Sequence, residues 1–198
     1  MSFFCVVTTE RSAIGLADRR IFSPHGNFHA EGARKIFLLS DRLAVCGIGT
    51  VKFSDALGTL KLAGGGWQKS LQRIYEDDVD AQIYRAVCMA VVLGLDPDLK
   101  PFTMTMHDPR YDQIVVREPY STVLPPAVDD GEINKLKREF QEEVPARLRA
   151  LAGEGARISA AKSMMIGLAL AISRLNPHIG DFYDLVTIGE EGAVFDEW

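Results

Sequence analysis

Ser2 is the first residue in the chain whose type and position could do chemistry. It follows the initiator methionine, and methionine aminopeptidases generally remove Met in front of a small residue. The mature chain then carries a hydroxyl and a free α-amine on the same residue. An α-amine has a reference pKa of about 7.7–8.0, so it can accept the hydroxyl proton near neutral pH. Ser2 is therefore a candidate nucleophile for acyl transfer that brings its own general base.

Asp18 and Lys35 follow Ser2 and supply opposite charges. Asp18 comes 16 residues after Ser2, and Lys35 comes 17 residues after Asp18. Taken alone, Asp18 could form a structural ion pair with Arg19 at a strand end. Lys35 could equally be a solvated lysine at a sheet edge.

Three stretches carry a resemblance to a known family. LADRR contains Asp18, GARKIF contains Lys35, and CGIGT contains Gly47 and Gly49. With Ser2, they resemble the proteasome β-subunit-like N-terminal nucleophile hydrolases, above all the bacterial proteasome homologues. Those enzymes begin with a Thr nucleophile, place an Asp 16 residues later, and continue with a Lys and a Gly-rich turn. The likeness covers residues 2 to about 60 and returns more weakly in the last helix and the closing strands.

The resemblance implies a role for each matching residue. Ser2 is the nucleophile, Lys35 lowers the pKa values of the Ser2 hydroxyl and amine by its field, and Asp18 orients Lys35. The Gly49 amide binds the oxyanion, an interaction worth about 2.7–4 kcal/mol in other acyl-transfer enzymes. Gly47 lines the first substrate pocket. Without the resemblance, both glycines could serve only a tight turn.

Three features depart from the family pattern. Ser2 replaces the usual Thr and lacks the methyl group that holds the side-chain rotamer. The Gly-Ser-Gly turn of the family is missing, and Ser121 is the nearest candidate for its Ser. In the stretch LNPHIGD, Asn176 and Ile179 stand where the family has an Asp and a Ser.

The resemblance implies a self-compartmentalising peptidase that hydrolyses peptide bonds through an ester on Ser2. Members of the family form homo-oligomeric rings around an inner chamber, and an ATPase unfoldase can feed them peptide or unfolded protein. No cofactor and no metal are expected. Two alternatives stay open: a catalytically impaired assembly subunit, which the departures favour, and a small-molecule amidase that shares the nucleophile chemistry.

Composition narrows the class of protein. The chain has 198 residues, 47% of them apolar, with a net charge of −5. This size fits a single domain, 1–198, with a sizeable core, and the acidic balance argues against nucleic acid as a partner. Three cysteines in apolar runs are interpreted as buried thiols of a reducing cytoplasm. No apolar run approaches the roughly 18 residues of a membrane span, and no secretory leader is expected, so membranes are not an expected partner.

The hydrophobic pattern predicts strands, two helices, strands, two helices and strands, in that order. Strands are expected over 3–9, 13–17, 35–39, 43–47, 101–106, 113–118, 182–188 and 193–195. Helices are expected over 53–62, over 79–95, over 131–151 with a break or kink at Pro145, and from an N-cap at Ser159 to residue 175. This order predicts an α+β fold, a four-layer αββα sandwich in which helices cover two antiparallel sheets.

Overall fold

The computed structural model describes residues 3–22, 28–30, 32–48, 51–60, 66–77, 89–106, 113–126 and 128–197. Two predicted site residues, Ser2 and Gly49, lie outside these ranges. So do Cys88 and the first part of the helix predicted over 79–95.

Twelve strands and four helices occur in the described residues. The strands are β1 Phe4–Thr8, β2 Ala13–Asp18, β3 Ile21–Phe22, β4 Phe28–Ala30, β5 Ile36–Ser40, β6 Leu43–Ile48, β7 Met89–Leu95, β8 Pro101–Met106, β9 Gln113–Val116, β10 Thr122–Val123, β11 Tyr183–Gly189 and β12 Gly192–Glu197. The helices are α1 Val51–Gly58, α2 Trp67–Asp77, α3 Gly131–Ala150 and α4 Glu154–Leu175.

Ten of the strands form two five-stranded antiparallel sheets, and β3 pairs with β4. The first sheet has the order β10-β1-β2-β11-β12, and the second has the order β5-β6-β7-β8-β9. In the first sheet, β1 and β2 pair from Phe4 opposite Ala17 to Thr8 opposite Ala13. Asp18, the last residue of β2, therefore lies at the end of the sheet where β1 begins.

Three hydrophobic clusters hold the sheets and helices together. One joins the facing sides of the two sheets and includes Val6 and Val91. A second joins the first sheet to α3 and α4, with Leu16 and Met165 among its members. The third joins the second sheet to α1 and α2, with Leu71 fully buried. The predicted α+β class with two antiparallel sheets is therefore confirmed, and the central strands are covered on both faces.

Helix α3 continues through Pro145, so of the predicted break or kink the break is wrong, whereas the kink stays a prediction. Proline removes one backbone hydrogen bond and is costly inside a helix. The neighbouring side chains Val144 and Leu148 are buried in the cluster that joins α3 to the first sheet. Their packing keeps the helix continuous, because tertiary burial outweighs local propensity.

Helix α4 begins at Glu154, before the predicted N-cap at Ser159, which is wrong. Gly153 precedes the helix with a φ of 85°, a conformation that favours glycine. Ser159 lies inside the helix, where its carbonyl accepts a hydrogen bond from the Ser163 hydroxyl at 3.0 Å. The first turn, Glu-Gly-Ala-Arg, contains no large apolar residue, so the apolar periodicity becomes visible only after it.

Helix α4 is also the one helix of the described part of the chain that is long and apolar enough to cross a membrane, with a mean hydropathy of 1.4 over 18 residues. The expectation that no apolar run approaches this length is therefore wrong. Buried residues of α4, including Met165, Ala169 and Ile172, pack against the first sheet. Core helices of soluble proteins meet the same criterion, so the finding is weak evidence for a membrane span.

Two elements between residues 66 and 95 differ from the prediction. Residues 89–95 belong to the helix predicted over 79–95, but they form the buried strand β7. A short apolar run fits a strand covered on both faces as well as a buried helix, and periodicity alone does not separate the two. Helix α2, Trp67–Asp77, is missing from the prediction.

Strands β6 and β7 approach closely at Gly94. A β-carbon added there would overlap the Arg42 carbonyl oxygen and lie 2.7 Å from Leu43 Cδ2. We expect Gly94→Ala to lower the free energy of unfolding by about 1–3 kcal/mol, because the paired backbones must move apart. Urea denaturation measures this change.

Gly167→Ala is the matched control. Gly167 lies inside α4, and a β-carbon added there meets nothing within 4 Å. This change should raise the free energy of unfolding by about 0.5–1 kcal/mol through the higher helix propensity of alanine. A free energy of unfolding that is unchanged or raised in Gly94→Ala would contradict the close approach at Gly94.

Candidate active site

The carboxylate of Asp18 is fully buried at the end of β2 and accepts four hydrogen bonds. Its Oδ1 accepts from the Phe3 amide and from the Lys35 ammonium, both at 2.8 Å. Its Oδ2 accepts from the Arg20 amide at 3.3 Å and from the Gly180 amide at 3.4 Å. These bonds replace the water that the buried carboxylate has lost.

The antiparallel pairing of β1 and β2 brings Phe3 and Asp18 together. The Asp18 amide donates to the Phe3 carbonyl at 3.0 Å, which extends the ladder beyond Phe4. The Phe3 amide in turn donates to the Asp18 side chain. The residue that follows Ser2 in the chain is thus fixed to Asp18 on both its amide and its carbonyl.

Lys35 lies just before β5, and only 3% of its side chain is exposed. Besides the bond to Asp18, its ammonium donates to the Arg20 carbonyl at 2.6 Å. Lys35 is therefore a buried, paired cation, and its interpretation as a solvated lysine at a sheet edge is wrong. Asp18 pairs with Lys35, whereas the guanidinium of Arg19 lies near a different carboxylate, with its Nε 3.7 Å from Asp184 Oδ1.

The backbone of Lys35 is joined to the stretch that contains the two candidate glycines. The Gly47 amide donates to the Lys35 carbonyl at 3.2 Å, and Gly47 is buried in β6. Strand β6 ends at Ile48, and Gly49 follows in the sequence. Lys35 and the strand that leads to Gly49 are thus neighbours. The pocket role of Gly47 and the oxyanion role of Gly49 stay predictions.

The segment between α4 and β11 closes another side of the Asp18 carboxylate. The Arg20 guanidinium donates from Nη1 to the carbonyls of Pro177 at 2.7 Å and Ile179 at 3.3 Å. This holds the segment where the Gly180 amide reaches Asp18. A side chain after β2 therefore fixes the position of a loop that follows it by more than 150 residues.

Asn176 and Ile179, which stand where the family pattern has an Asp and a Ser, do not support the Asp18 carboxylate with their side chains. Asn176 Oδ1 accepts from the His178 amide at 2.9 Å, and Ile179 is buried among apolar side chains. Within the described part of the chain, neither side chain bonds to Asp18. The support on this side of the carboxylate comes from the Gly180 amide instead.

Sequence reasoning missed the contributions of Arg20 and Gly180. Their bonds join residues that are far apart in the chain, by 162 positions for Gly180 and Asp18. Spacing within a short motif cannot reveal such contacts. The one available signal was the second arginine of LADRR, which is part of a stretch that carries the resemblance.

Ser121 lies at the wrong end of the first sheet to support this site. Its hydroxyl is 2.8 Å from that of Thr8, at the far end of β1 from Phe3. Thr8 is five positions along the chain from Phe3, which corresponds to roughly 17 Å at about 3.4 Å per residue. Ser121 is therefore not a replacement for the Ser of the Gly-Ser-Gly turn. No cluster of three or more His, Cys, Asp or Glu that could hold a metal occurs in the residues described.

Two buried thiols lie in this region of the fold, and neither is a nucleophile. Burial raises the pKa of the Cys46 thiol far above its usual range, while the nearby Lys35 lowers it and the carboxylate of Asp18 raises it. Burial likewise raises the pKa of Cys5 well above its ordinary value. Both thiols stay protonated at neutral pH. The interpretation of Cys5 and Cys46 as buried free thiols is confirmed.

Comparison with known proteins adds no family assignment. No protein-family model matches the sequence, and no curated protein matches it. The likeness of LADRR, GARKIF and CGIGT to N-terminal nucleophile hydrolases thus stays a resemblance. The function must be inferred from the site around Asp18 and Lys35.

Proposed function

We propose that the protein is an N-terminal nucleophile hydrolase that cleaves peptide bonds with Ser2 after Met1 is removed. One observation carries the proposal: Oδ1 of Asp18 holds both the Phe3 amide and the Lys35 ammonium at 2.8 Å. These two nitrogens are therefore no more than twice 2.8 Å apart. The carbonyl carbon of Ser2 is bonded to the Phe3 nitrogen. Ser2, the residue that carries the candidate nucleophile, is thus bonded to a nitrogen that shares Asp18 Oδ1 with the buried Lys35 ammonium.

The burial of this cation supports the proposed chemistry. Only 3% of the Lys35 side chain is exposed, so water screens its positive charge weakly. A nearby positive charge favours the neutral form of an amine and the ionised form of a hydroxyl. The first effect keeps the Ser2 amine unprotonated and so available as a base, and the second favours loss of the Ser2 hydroxyl proton. Asp18 holds the ammonium in place by a charge-assisted hydrogen bond.

Each step of the proposed reaction conserves protons. Ser2 Oγ attacks the carbonyl carbon of the scissile bond, and its proton passes to the neutral Ser2 α-amine. The Gly49 amide binds the oxyanion that forms. As the C–N bond breaks, the α-ammonium returns the proton to the leaving amine, and an ester remains on Ser2. Water then attacks the ester, with the same amine as base, and releases a carboxylic acid and free Ser2.

The proposal includes the architecture and assembly that the resemblance implies. Helices that cover the outer faces of two antiparallel sheets support a four-layer αββα sandwich of the N-terminal nucleophile type. The proposed assembly is a homo-oligomeric ring in the cytoplasm. Its substrates are peptides or unfolded proteins, supplied with the help of an ATPase unfoldase.

A specific observation favours one alternative, a catalytically impaired assembly subunit. Asn176 Oδ1 is used by the His178 amide, and Ile179 is buried in the core. The acidic and hydroxyl side chains that the family places here are thus replaced by groups that do no proton chemistry. In this alternative the Asp18–Lys35 pair serves only to stabilise the fold.

Three measurements on one preparation test the proposal. Intact mass shows whether residue 1 is present, native mass shows the oligomer, and cleavage assays compare peptides with small acyl amides. We expect Met1 to be absent and peptides to be cleaved by a ring, with no cleavage by Ser2→Ala. A ring that retains Met1 and cleaves nothing would instead establish the assembly subunit. A monomer that cleaves only acyl amides would establish the amidase.

A further inference from the structure

Asp184 is a second buried carboxylate near the candidate site, and the proposed reaction does not use it. It lies in β11 opposite Ala17, and 1% of its side chain is exposed. Its Oδ1 is 3.7 Å from Arg19 Nε. A buried carboxylate destabilises a fold unless a cation or hydrogen-bond donors compensate it. The burial of Asp184 beside Arg19 therefore calls for a functional explanation.

Arg19 connects Asp184 to the segment that leads into Lys35. The guanidinium of Arg19 donates from Nη2 to the Gly32 carbonyl at 3.2 Å. The Arg19 carbonyl accepts from the Ala33 amide at 3.0 Å. Gly32 has a φ of 86°, so the segment turns here, and Lys35 follows three residues later. Both the side chain and the backbone of Arg19 therefore hold the approach to Lys35.

The two hydrogen bonds of Arg19, to Gly32 and Ala33, fix one end of the short segment 32–35. Gly47 fixes the other end. At that end, the Lys35 carbonyl accepts from the Gly47 amide at 3.2 Å. The Lys35 side chain is long and flexible, so the place of its ammonium depends on how its backbone is held. A guanidinium that turned away from Gly32 would remove one of the two bonds that hold the N-terminal side of this segment.

We propose that Asp184 is a positioning residue for the candidate site. Its carboxylate holds the Arg19 guanidinium against the Gly32 carbonyl, and Arg19 thereby places the Lys35 ammonium on Asp18. The importance of this arrangement for catalysis rests on the proposed function. The positioning itself is a property of the folded protein and is measurable without any catalytic assay.

Chemical acetylation measures how well the Lys35 ammonium is held. The folded protein is treated briefly with the N-hydroxysuccinimide ester of acetic acid, and each lysine is quantified by peptide mass spectrometry. Lys135, whose side chain is 64% exposed, is the reference for reagent reactivity. Lys137, 7% exposed in α3, reports general loosening of the fold.

Asp184→Asn is expected to raise Lys35 acetylation relative to Lys135 by about tenfold, with Lys137 unchanged. Arg19→Gln should give the same rise, and it remains informative if the buried Asp184→Asn variant does not fold, because the Arg19 side chain is 23% exposed. The double variant should show no further increase, because both changes break one chain of contacts. Asp196→Asn, which removes an exposed carboxylate from the neighbouring strand, should leave Lys35 protected.

Two results would overturn the inference. One is Lys35 acetylation within about twofold of the parent protein in both single variants. The other is a parallel rise at Lys35 and Lys137, which would indicate general unfolding. Labelling of Ser2 in the parent protein separates this test from the proposed function. If Ser2 never reacts, the proposed function fails, whereas the protection of Lys35 by Asp184 is decided independently.

Discussion

Lys35→Met is expected to lower the free energy of unfolding by about 3–5 kcal/mol, because it leaves the Asp18 carboxylate buried without its cation. The side chains of Asp18 and Lys35 are 0% and 3% exposed, so water cannot replace the missing ammonium. Methionine keeps an unbranched apolar side chain in the same place, which limits the loss of packing. Urea denaturation followed by circular dichroism gives the change in unfolding free energy.

Lys162→Met is the matched control for this effect. Lys162 also pairs with an aspartate, Asp196, at 2.7 Å, but both side chains are partly exposed. Its loss should cost less than about 1 kcal/mol, because solvent screens the pair. Adding Asp18→Asn to Lys35→Met should recover part of the lost stability, since no unpaired charge then remains buried. Equal losses in the two Met variants would contradict the pairing described for Asp18.

Asp18→Asn is expected to slow acylation of Ser2 by about 10²–10⁴-fold. An asparagine oxygen can still accept from the Phe3 amide, so the β1 backbone stays near its place. Its neutral side chain no longer holds the Lys35 ammonium by a charge-assisted bond. The field that keeps the Ser2 amine neutral and favours ionisation of the Ser2 hydroxyl is then weakened. The rate is measured with a β-lactone probe by following intact mass over time.

The control for the Asp18 variant is Asp196→Asn on strand β12. Asp196 pairs with Lys162 away from the candidate site, so its loss should leave the acylation rate unchanged. Folding of both variants is checked by thermal unfolding before the rates are compared. An Asp18→Asn protein that reacts as fast as the parent protein would remove Asp18 from the proposed mechanism.

The hydrophobic pattern predicted secondary structure correctly for short apolar runs between turn residues. It failed where tertiary packing determines whether a segment forms a helix or a strand. Most of the predicted strands of both sheets occur, because short apolar runs between turn residues are typical of buried strands. Residues 89–95 are equally apolar, yet only their pairing with β6 and β8 makes them a strand. Pro145 breaks isolated helices, but the burial of Val144 and Leu148 keeps α3 intact.

The pairing within the candidate site was predictable, and its surroundings were not. The spacing of Asp18 and Lys35 together with the resemblance predicted that they meet, and their charged groups are 2.8 Å apart. Arg20 and Gly180 complete the surroundings of Asp18 through backbone groups and a distant loop. Every residue except proline has a backbone amide, so the residue type does not indicate which amides bind Asp18. Their roles can be identified only when the fold is known.

Reaction of the purified protein with a peptide vinyl sulfone or β-lactone, read by intact mass and peptide mapping, tests the proposed chemistry most directly. We expect Met1 to be absent and one adduct to form on Ser2, with none on Ser2→Ala. No adduct on Ser2, under conditions that label a proteasome control completely, would contradict a nucleophile beside the buried Lys35 ammonium.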